Sequence, residues 1–241
     1  MSNEKILVIS AHAADYVWRS GGTLANYASS GVPVKVVVLS FGVRGESNGL
    51  WKTENQTYEN VKEIRYQETK RAASYLGLTD LEYWDLPDYP LPIDSELDER
   101  VVKLIRQYRP TIIITHDKFD VLNPDHNNVH EMVWRCSVMA NSAGIRIDGL
   151  PETKQMKIFG FEPHQTEISH YMPTEIIDIT NSYDKKIAAM QCFKGQSHLI
   201  EYYTQRAFMR GNHARRISGN SNYKYAETFS SMYPIVSEKL V

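Results

Sequence analysis

Short, almost wholly apolar runs alternate with stretches of helical spacing through the first half of the chain. Residues 6–10 (ILVIS), 34–40 (VKVVVLS) and 111–115 (TIIIT) are too short for amphipathic helices and read as buried strands. Residues 81–86 read as a further strand. Residues 21–30 predict a helix opened by Ser20 and stopped by Gly31. Residues 61–76 predict another, with Ile64, Ala72, Ala73 and Leu76 on one side and Gly77 as its stop. Helices over 95–108, ahead of Pro110, and over about 126–140 complete a β-α alternation. This order predicts an α/β, Rossmann-like fold, a mostly parallel sheet with helices on both faces. The polar stretch 41–58 is longer than a connector needs, and such loops are often functional.

After Ser142 the pattern weakens. Residues 156–161 and 175–179 suggest short strands, 183–193 and 198–210 suggest helices, and 220–241 reads as irregular. No repeat, low-complexity segment or linker marks a second domain. The expectation is one domain over 1–241, with 150–241 as a C-terminal extension completing the site.

Composition narrows the classes. A length of 241 residues with 42% hydrophobic and 11% aromatic content is globular. Lys+Arg total 27 against Asp+Glu 29, a net charge of −2, which argues against nucleic acid as a partner. No apolar run approaches the roughly 18 residues of a membrane span, so no membrane partner is expected. Residues 1–5 run straight into the first strand, which leaves no room for a signal peptide. Cys136 and Cys192 form no CxxC pair. They suit a reducing compartment, and a cytoplasmic location is expected.

Ligands bind outside the carboxyl ends of the strands in such sheets. There the sequence places His12 and Asp15, then Arg44 and Glu46, then His116, Asp117, Asn123, Asp125 and His126. His12, Asp15 and His126 make a two-histidine, one-carboxylate set. Such a set suits zinc and leaves coordination positions open. A lone histidine there would merely cap a strand; three such groups at one crevice favour a metal.

Several segments carry a family resemblance. AHAADYVWRSGGTLA is similar to the AHPDDE…GGTLA opening of the PIG-L/LmbE zinc N-deacetylases. The similarity continues through LSFGVRGES, RYQETKRAASYLGL, LEYWDLPDYPL and NPDH, covering most of residues 4–140. The resemblance implies a Rossmann-like fold with Zn2+ on His12, Asp15 and His126. It also shows departures. The deacetylases' general-base Asp is Ala14 here, the motif Glu is Tyr16, and the His opening their HPDH segment is Asn123. AHAAD-[FY]-VWR, LSFG-x-RGES…LWK, FEPHQ-x-E and YYT..A..RG..A-R instead resemble the 4-oxalomesaconate hydratase branch of the superfamily, to about residue 216. That resemblance implies zinc-dependent hydration of an unsaturated tricarboxylate in aromatic-acid breakdown. The alternatives are an amide deacetylase with a relocated base and a non-catalytic anion- or sugar-binding relative.

Individual residues carry competing expectations. Glu46 either pairs with Arg44 or serves as the acid/base that replaces the missing Asp. His164 is either a loop packing residue or the second proton-transfer group. Asp125 either caps a helix or orients His12 or His126. Arg44 is the expected clamp on a small-molecule carboxylate substrate, with Trp18 and Asn123 as further substrate-binding residues. Arg206 and Arg210 belong either to a clamp or to an interface in the expected homo-oligomer. Arg65 and Glu68 form a structural RxxE pair, His130 is expected to pack, and Gly21-Gly22 is expected to give close packing near the metal.

Overall fold

In the computed structural model, residues 4–234 and 236 are described. Seven strands form one sheet: β1 (Ile6–His12), β2 (Val34–Ser40), β3 (Asp80–Tyr83), β4 (Ile112–His116), β5 (Lys157–Phe161), β6 (Glu175–Asp178) and β7 (Ala226–Ser231). Their spatial order is β3-β2-β1-β4-β5-β7-β6. The pairs from β3 through β5 are parallel, whereas β7 runs antiparallel to both β5 and β6. The helices are α1 (Asp15–Ser29), α2 (Asn48–Trp51), α3 (Tyr58–Leu76), α4 (Ser95–Tyr108), α5 (Pro124–Ala140), α6 (Tyr183–Met190) and α7 (Leu199–Ser218).

Both faces of the central strands are buried, which explains their unbroken apolar sequences. Alternate side chains feed two cores. Ile6, Val8, Val36 and Val38 pack with α1, α3 and α6 on one face; Leu7, Ile9, Val37 and Leu39 pack with α4 and α5 on the other. Local signals fix several helix starts. Thr57 caps α3 through the Asn60 N–H, Asp94 caps α4 through the Leu97 N–H, and Asn123 caps α5 with Pro124 in its first turn.

Four sequence expectations change. Helix α1 begins at Asp15, not near residue 21, and Ser20 turns its hydroxyl to the Tyr16 carbonyl inside the helix. The stretch 41–58 contains the short helix α2. Helix α7 runs on to Ser218. The tail is not wholly irregular, because β7 lies in it; residues 235 and 237–241, like 1–3, are outside the described residues. The glycine pair does pack closely, but against the C-terminal region: a Cβ on Gly22 would sit 2.7 Å from Ile179.

β7 is anchored by a buried charge cluster. The Glu227 carboxylate accepts from the Gly22 and Thr23 N–H groups at the middle of α1 and from Lys186 Nζ of α6 at 2.6 Å. Removing one partner of a buried ion pair strands the other. Glu227→Ala is therefore expected to destabilise the protein by about 3–5 kcal/mol in urea unfolding, and a loss below about 1 kcal/mol would contradict this anchoring role.

Candidate metal centre and pocket

The carboxyl ends of β1 and β4 flank the point where the sheet order reverses, and the candidate site lies there. His12 ends β1 and Asp15 opens α1, so the tight turn between them brings both to one place. Asp15 Oδ2 accepts the His12 backbone N–H at 2.8 Å. The Asp15 carboxylate stands 3.4 Å from His12 Nδ1 and 3.3 Å from His126 Nε2. One ligand atom from each of His12, Asp15 and His126 falls within a 4.8 Å cluster, and all three residues are buried.

Each imidazole has its other nitrogen held by a carboxylate. His12 Nε2 lies 3.2 Å from Asp125 Oδ2, and His126 Nδ1 lies 3.0 Å from Asp120 Oδ2. The remaining nitrogens, His12 Nδ1 and His126 Nε2, are buried with no hydrogen bond among the described residues. Imidazoles oriented by outer carboxylates, with free nitrogens converging on a third carboxylate, fit a metal ion. Of the two partners expected for Asp125, the structure selects His12. Asp125 also accepts the Tyr89 and Leu91 N–H groups at 3.0 and 2.9 Å, tying the centre to the turn after β3.

Arg19 is a buried cation that the sequence did not single out. It donates to the Glu162 carbonyl at 2.9 Å and to Asp120 at 3.3 Å, and its Nε lies 3.6 Å from Asp15. Burial alone would raise Asp15 and Asp120. The His126 ring and the His12 hydrogen bond at Asp15, and the His126 hydrogen bond and Arg19 charge at Asp120, instead hold both below the usual carboxylate range. His116 accepts the Ala11 N–H at 3.0 Å and stacks on His126. Burial, with His126 and Arg19 alongside, pushes its pKa well down, so it stays a neutral acceptor. His130 bonds the His116 carbonyl, and Asp117 accepts from Ser230.

Glu46 reaches the centre from the loop after β2. Gly42 has φ +68, and a Cβ on it would meet the Glu46 Cβ at 2.8 Å, so a glycine is required for the loop to fold back. Glu46 stands 3.7 Å from His12 Nδ1. It accepts from Asn123 Nδ2 and Gln196 Nε2 at 2.8 Å each, and the Tyr89 hydroxyl lies 3.4 Å away. These amide and hydroxyl donors suit an ionised carboxylate.

His164 follows β5. Its carbonyl accepts from the Tyr202 hydroxyl and from Arg206, and its Nδ1 lies 3.4 Å from the Tyr203 hydroxyl. Glu162, two residues earlier, is clasped by Arg210. Glu46, Asn123, His164, Gln196, Tyr89 and Tyr202 line a pocket of about 480 Å³.

Two substrate-binding expectations require correction, Arg44 and Trp18, and of the two alternatives for Arg206 and Arg210 the clamp is disfavoured. The Arg44 side chain is exposed and does not line this pocket; its backbone N–H instead binds Asp88. Trp18 is core rather than wall, stacked on Tyr203 at 5.3 Å. Arg206 and Arg210 are committed to the 162–164 segment rather than free to clamp a ligand. No lysine or arginine is among the described residues lining the pocket. Arg19 and Asp120 had faint local signals, the i,i+4 spacing from Asp15 and the short step before His126. Tyr89 and Gln196 had none.

Burial, reinforced by the Arg19 charge, lowers the His164 pKa from 6.5 to about 3. A histidine depressed in this way favours the fold above its unfolded pKa, and that contribution fades as pH falls from about 6.5 toward 3. The His164 ring is expected to show no titration between about pH 5 and 8 by NMR, and a midpoint near the ordinary value of about 6.5 would refute the burial account.

A profile of the PIG-L family, GlcNAc-PI de-N-acetylase, matches residues 7–137. The chain is 39% identical over 241 aligned residues to a 4-oxalmesaconate hydratase of Pseudomonas putida, covering 97% of this chain and 91% of that protein. It superposes on the crystal structure of GalB, the 4-carboxy-2-hydroxymuconate hydratase of Pseudomonas putida KT2440, with a TM-score of 0.93 and 38% identity, covering 99% of this chain and 100% of the other. The N,N'-diacetylchitobiose deacetylase of Pyrococcus horikoshii shares the fold at TM-score 0.79 and 21% identity, over 95% of this chain and 84% of its own. With its metal-competent triad at the end of β1 and the start of α5, the chain belongs to the PIG-L family.

Proposed function

We propose that this protein is a zinc-dependent hydratase that adds water to the double bond of 4-oxalomesaconate or a close unsaturated oxo-tricarboxylate. The observation that carries this is the pairing of Glu46 and His164 on one pocket beside the His12, Asp15 and His126 triad, while position 14 holds an alanine. An amide hydrolase of this family needs a base where Ala14 stands. It also needs a proton donor for the leaving amine, and the Asn123 amide, which caps α5, holds Glu46 and lines the pocket as a substrate contact, is no such acid. The hydratase relatives, at 39% and 38% identity over nearly the whole chain, support the same choice.

His12, Asp15 and His126 would hold the zinc, which when bound supplies Lewis acidity to a substrate oxygen. Glu46 takes the proton from the water that adds. The electron pair of the carbon–carbon double bond passes to the neighbouring carbon, and His164 delivers a proton there. His164 is neutral in the free protein. To act as the donor His164 would have to take up this proton when substrate binds, and substrate carboxylates placed beside it would favour its charged form. Asn123 and Gln196 keep the Glu46 carboxylate aimed at the pocket. The same reading assigns a place in aromatic-acid catabolism, a cytoplasmic location and a homo-oligomeric state. Among the described residues, no helix is long and apolar enough to cross a membrane.

The deciding experiment presents zinc-loaded protein with unsaturated di- and tricarboxylates beside N-acetyl sugars. Hydration of the oxo-tricarboxylate is expected, and efficient amide hydrolysis would overturn the reading. The protein is expected to bind about one zinc per chain, and His12→Ala and His126→Ala to lose it by metal analysis while remaining folded. Full occupancy in both variants would remove these ligands. Glu46→Gln and His164→Ala are each expected to lower kcat by about 10²–10⁴ with zinc retained, and near wild-type turnover in either would exclude that residue.

A further inference from the structure

We propose that Gln196 is a positioning residue for the water that adds, holding Glu46 with its amide nitrogen and accepting the water's second O–H with its amide oxygen. This rests on the hydratase reading above. Gln196 is 5% exposed and lines the pocket. Its Nε2 donates to Glu46 Oε2 at 2.8 Å. An ionised carboxylate only accepts, so the orientation of the amide is forced by chemistry. Its Oε1 is left buried without a hydrogen-bond partner among the described residues. A buried acceptor without a donor costs stability, and beside the candidate base it marks a place for a ligand O–H.

The surrounding structure fixes this amide. A Cβ on Gly49 of α2 would lie 2.5 Å from the Gly195 carbonyl, and one on Gly195 would lie 2.9 Å from Leu50. The Glu46 loop and the 194–196 turn therefore meet backbone to backbone. Both are also tied to α3. Glu68 accepts the Lys194 N–H at 2.8 Å, and its partner Arg65 donates to the Phe41 carbonyl at the start of the Glu46 loop. The RxxE pair thus holds the Glu46 loop and the Gln196 turn in one frame. Close glycine contacts and a buried ion pair fix the backbone on both sides of this amide, and they suit a side chain that must hold its direction.

In the addition step, one O–H bond of the water breaks. Glu46 takes that proton, and the oxygen bonds to carbon. The double-bond electron pair moves to the adjacent carbon, which takes its proton from His164. The second O–H survives as the hydroxyl of the product, and it is this O–H that Gln196 Oε1 accepts. The same contact should recognise a tertiary hydroxyl on a bound tricarboxylate.

Citrate and tricarballylate, which differ only in that hydroxyl, provide the probe. Their inhibition constants are compared in wild type, Gln196→Met and Gln196→Ala, with zinc content and thermal midpoint measured for each. The change in the ratio of the two constants between wild type and each variant isolates the amide from any contact the hydroxyl makes with zinc. Wild type is expected to prefer citrate, and both variants to lose about three- to tenfold of that preference. Their kcat should fall about 10- to 100-fold, with KM within about threefold and zinc and thermal midpoint unchanged. An unchanged ratio in both variants overturns the proposal, whether or not kcat falls. Failure of wild-type, zinc-loaded protein to hydrate any oxo-tricarboxylate overturns the hydratase reading, and this inference with it, before any variant is made.

Discussion

Buried charge at the end of β1 governs the rest of the structure. Asp15, Asp120 and Asp125 are nearly inaccessible to water and lie with Glu46 around two metal-competent imidazoles. Such groups persist in a fold only if each is paired or hydrogen-bonded. Asp15 is answered by the His12 N–H and Arg19, Asp120 by His126 and Arg19, and Asp125 by His12 and two backbone N–H groups of the 89–91 turn. These pairings leave one unsatisfied nitrogen on each of His12 and His126, both facing the same carboxylate.

The C-terminal region is bound to this centre by polar contacts from several directions. Arg19 holds the Glu162 carbonyl, Arg210 holds the Glu162 side chain, and Arg206 holds the next two carbonyls. His164 is thereby fixed through the backbone on either side of it. Glu227 locks β7 onto α1, and Gln196 meets Glu46. A residue in this region can reach the centre because rigid elements carry it there, although it lies well over a hundred positions from His12 and Asp15 in sequence.

The shared fold and the altered chemistry follow from different residues. The triad that fits a metal depends on the β1 turn and the start of α5. Acid–base chemistry depends on what surrounds it. Alanine at 14 removes a carboxylate beside the triad, and Glu46 brings one from the β2 loop, held by Asn123 where the deacetylase pattern has histidine. A scaffold that retains its metal-competent residues while a different strand supplies the neighbouring carboxylate can support a different reaction, as expected when function resides in the site rather than the fold.

Much of this was legible in the sequence because it is local. Short apolar runs marked β1, β2 and β4, and helical spacing with the Gly77 and Pro110 stops marked α3 and α4. His12 and Asp15 lie within one turn, so their meeting follows from chain geometry. The family pattern brought in His126, Glu46 and His164. Tertiary structure decided what local pattern does not encode. The early start of α1 depends on burial of its first turns against the sheet rather than on a capping side chain. β7 reads as irregular because AETFSS is weakly apolar, and it becomes a strand by pairing with β5 and β6. Arg44 looked like a clamp by chemistry alone, but its loop turns the side chain to solvent, while Arg206 and Arg210 are used up on Glu162 and its neighbouring carbonyls. Sequence specifies which groups are available; long-range packing determines which of them remain unpaired, and an unpaired group is the one left to meet a ligand.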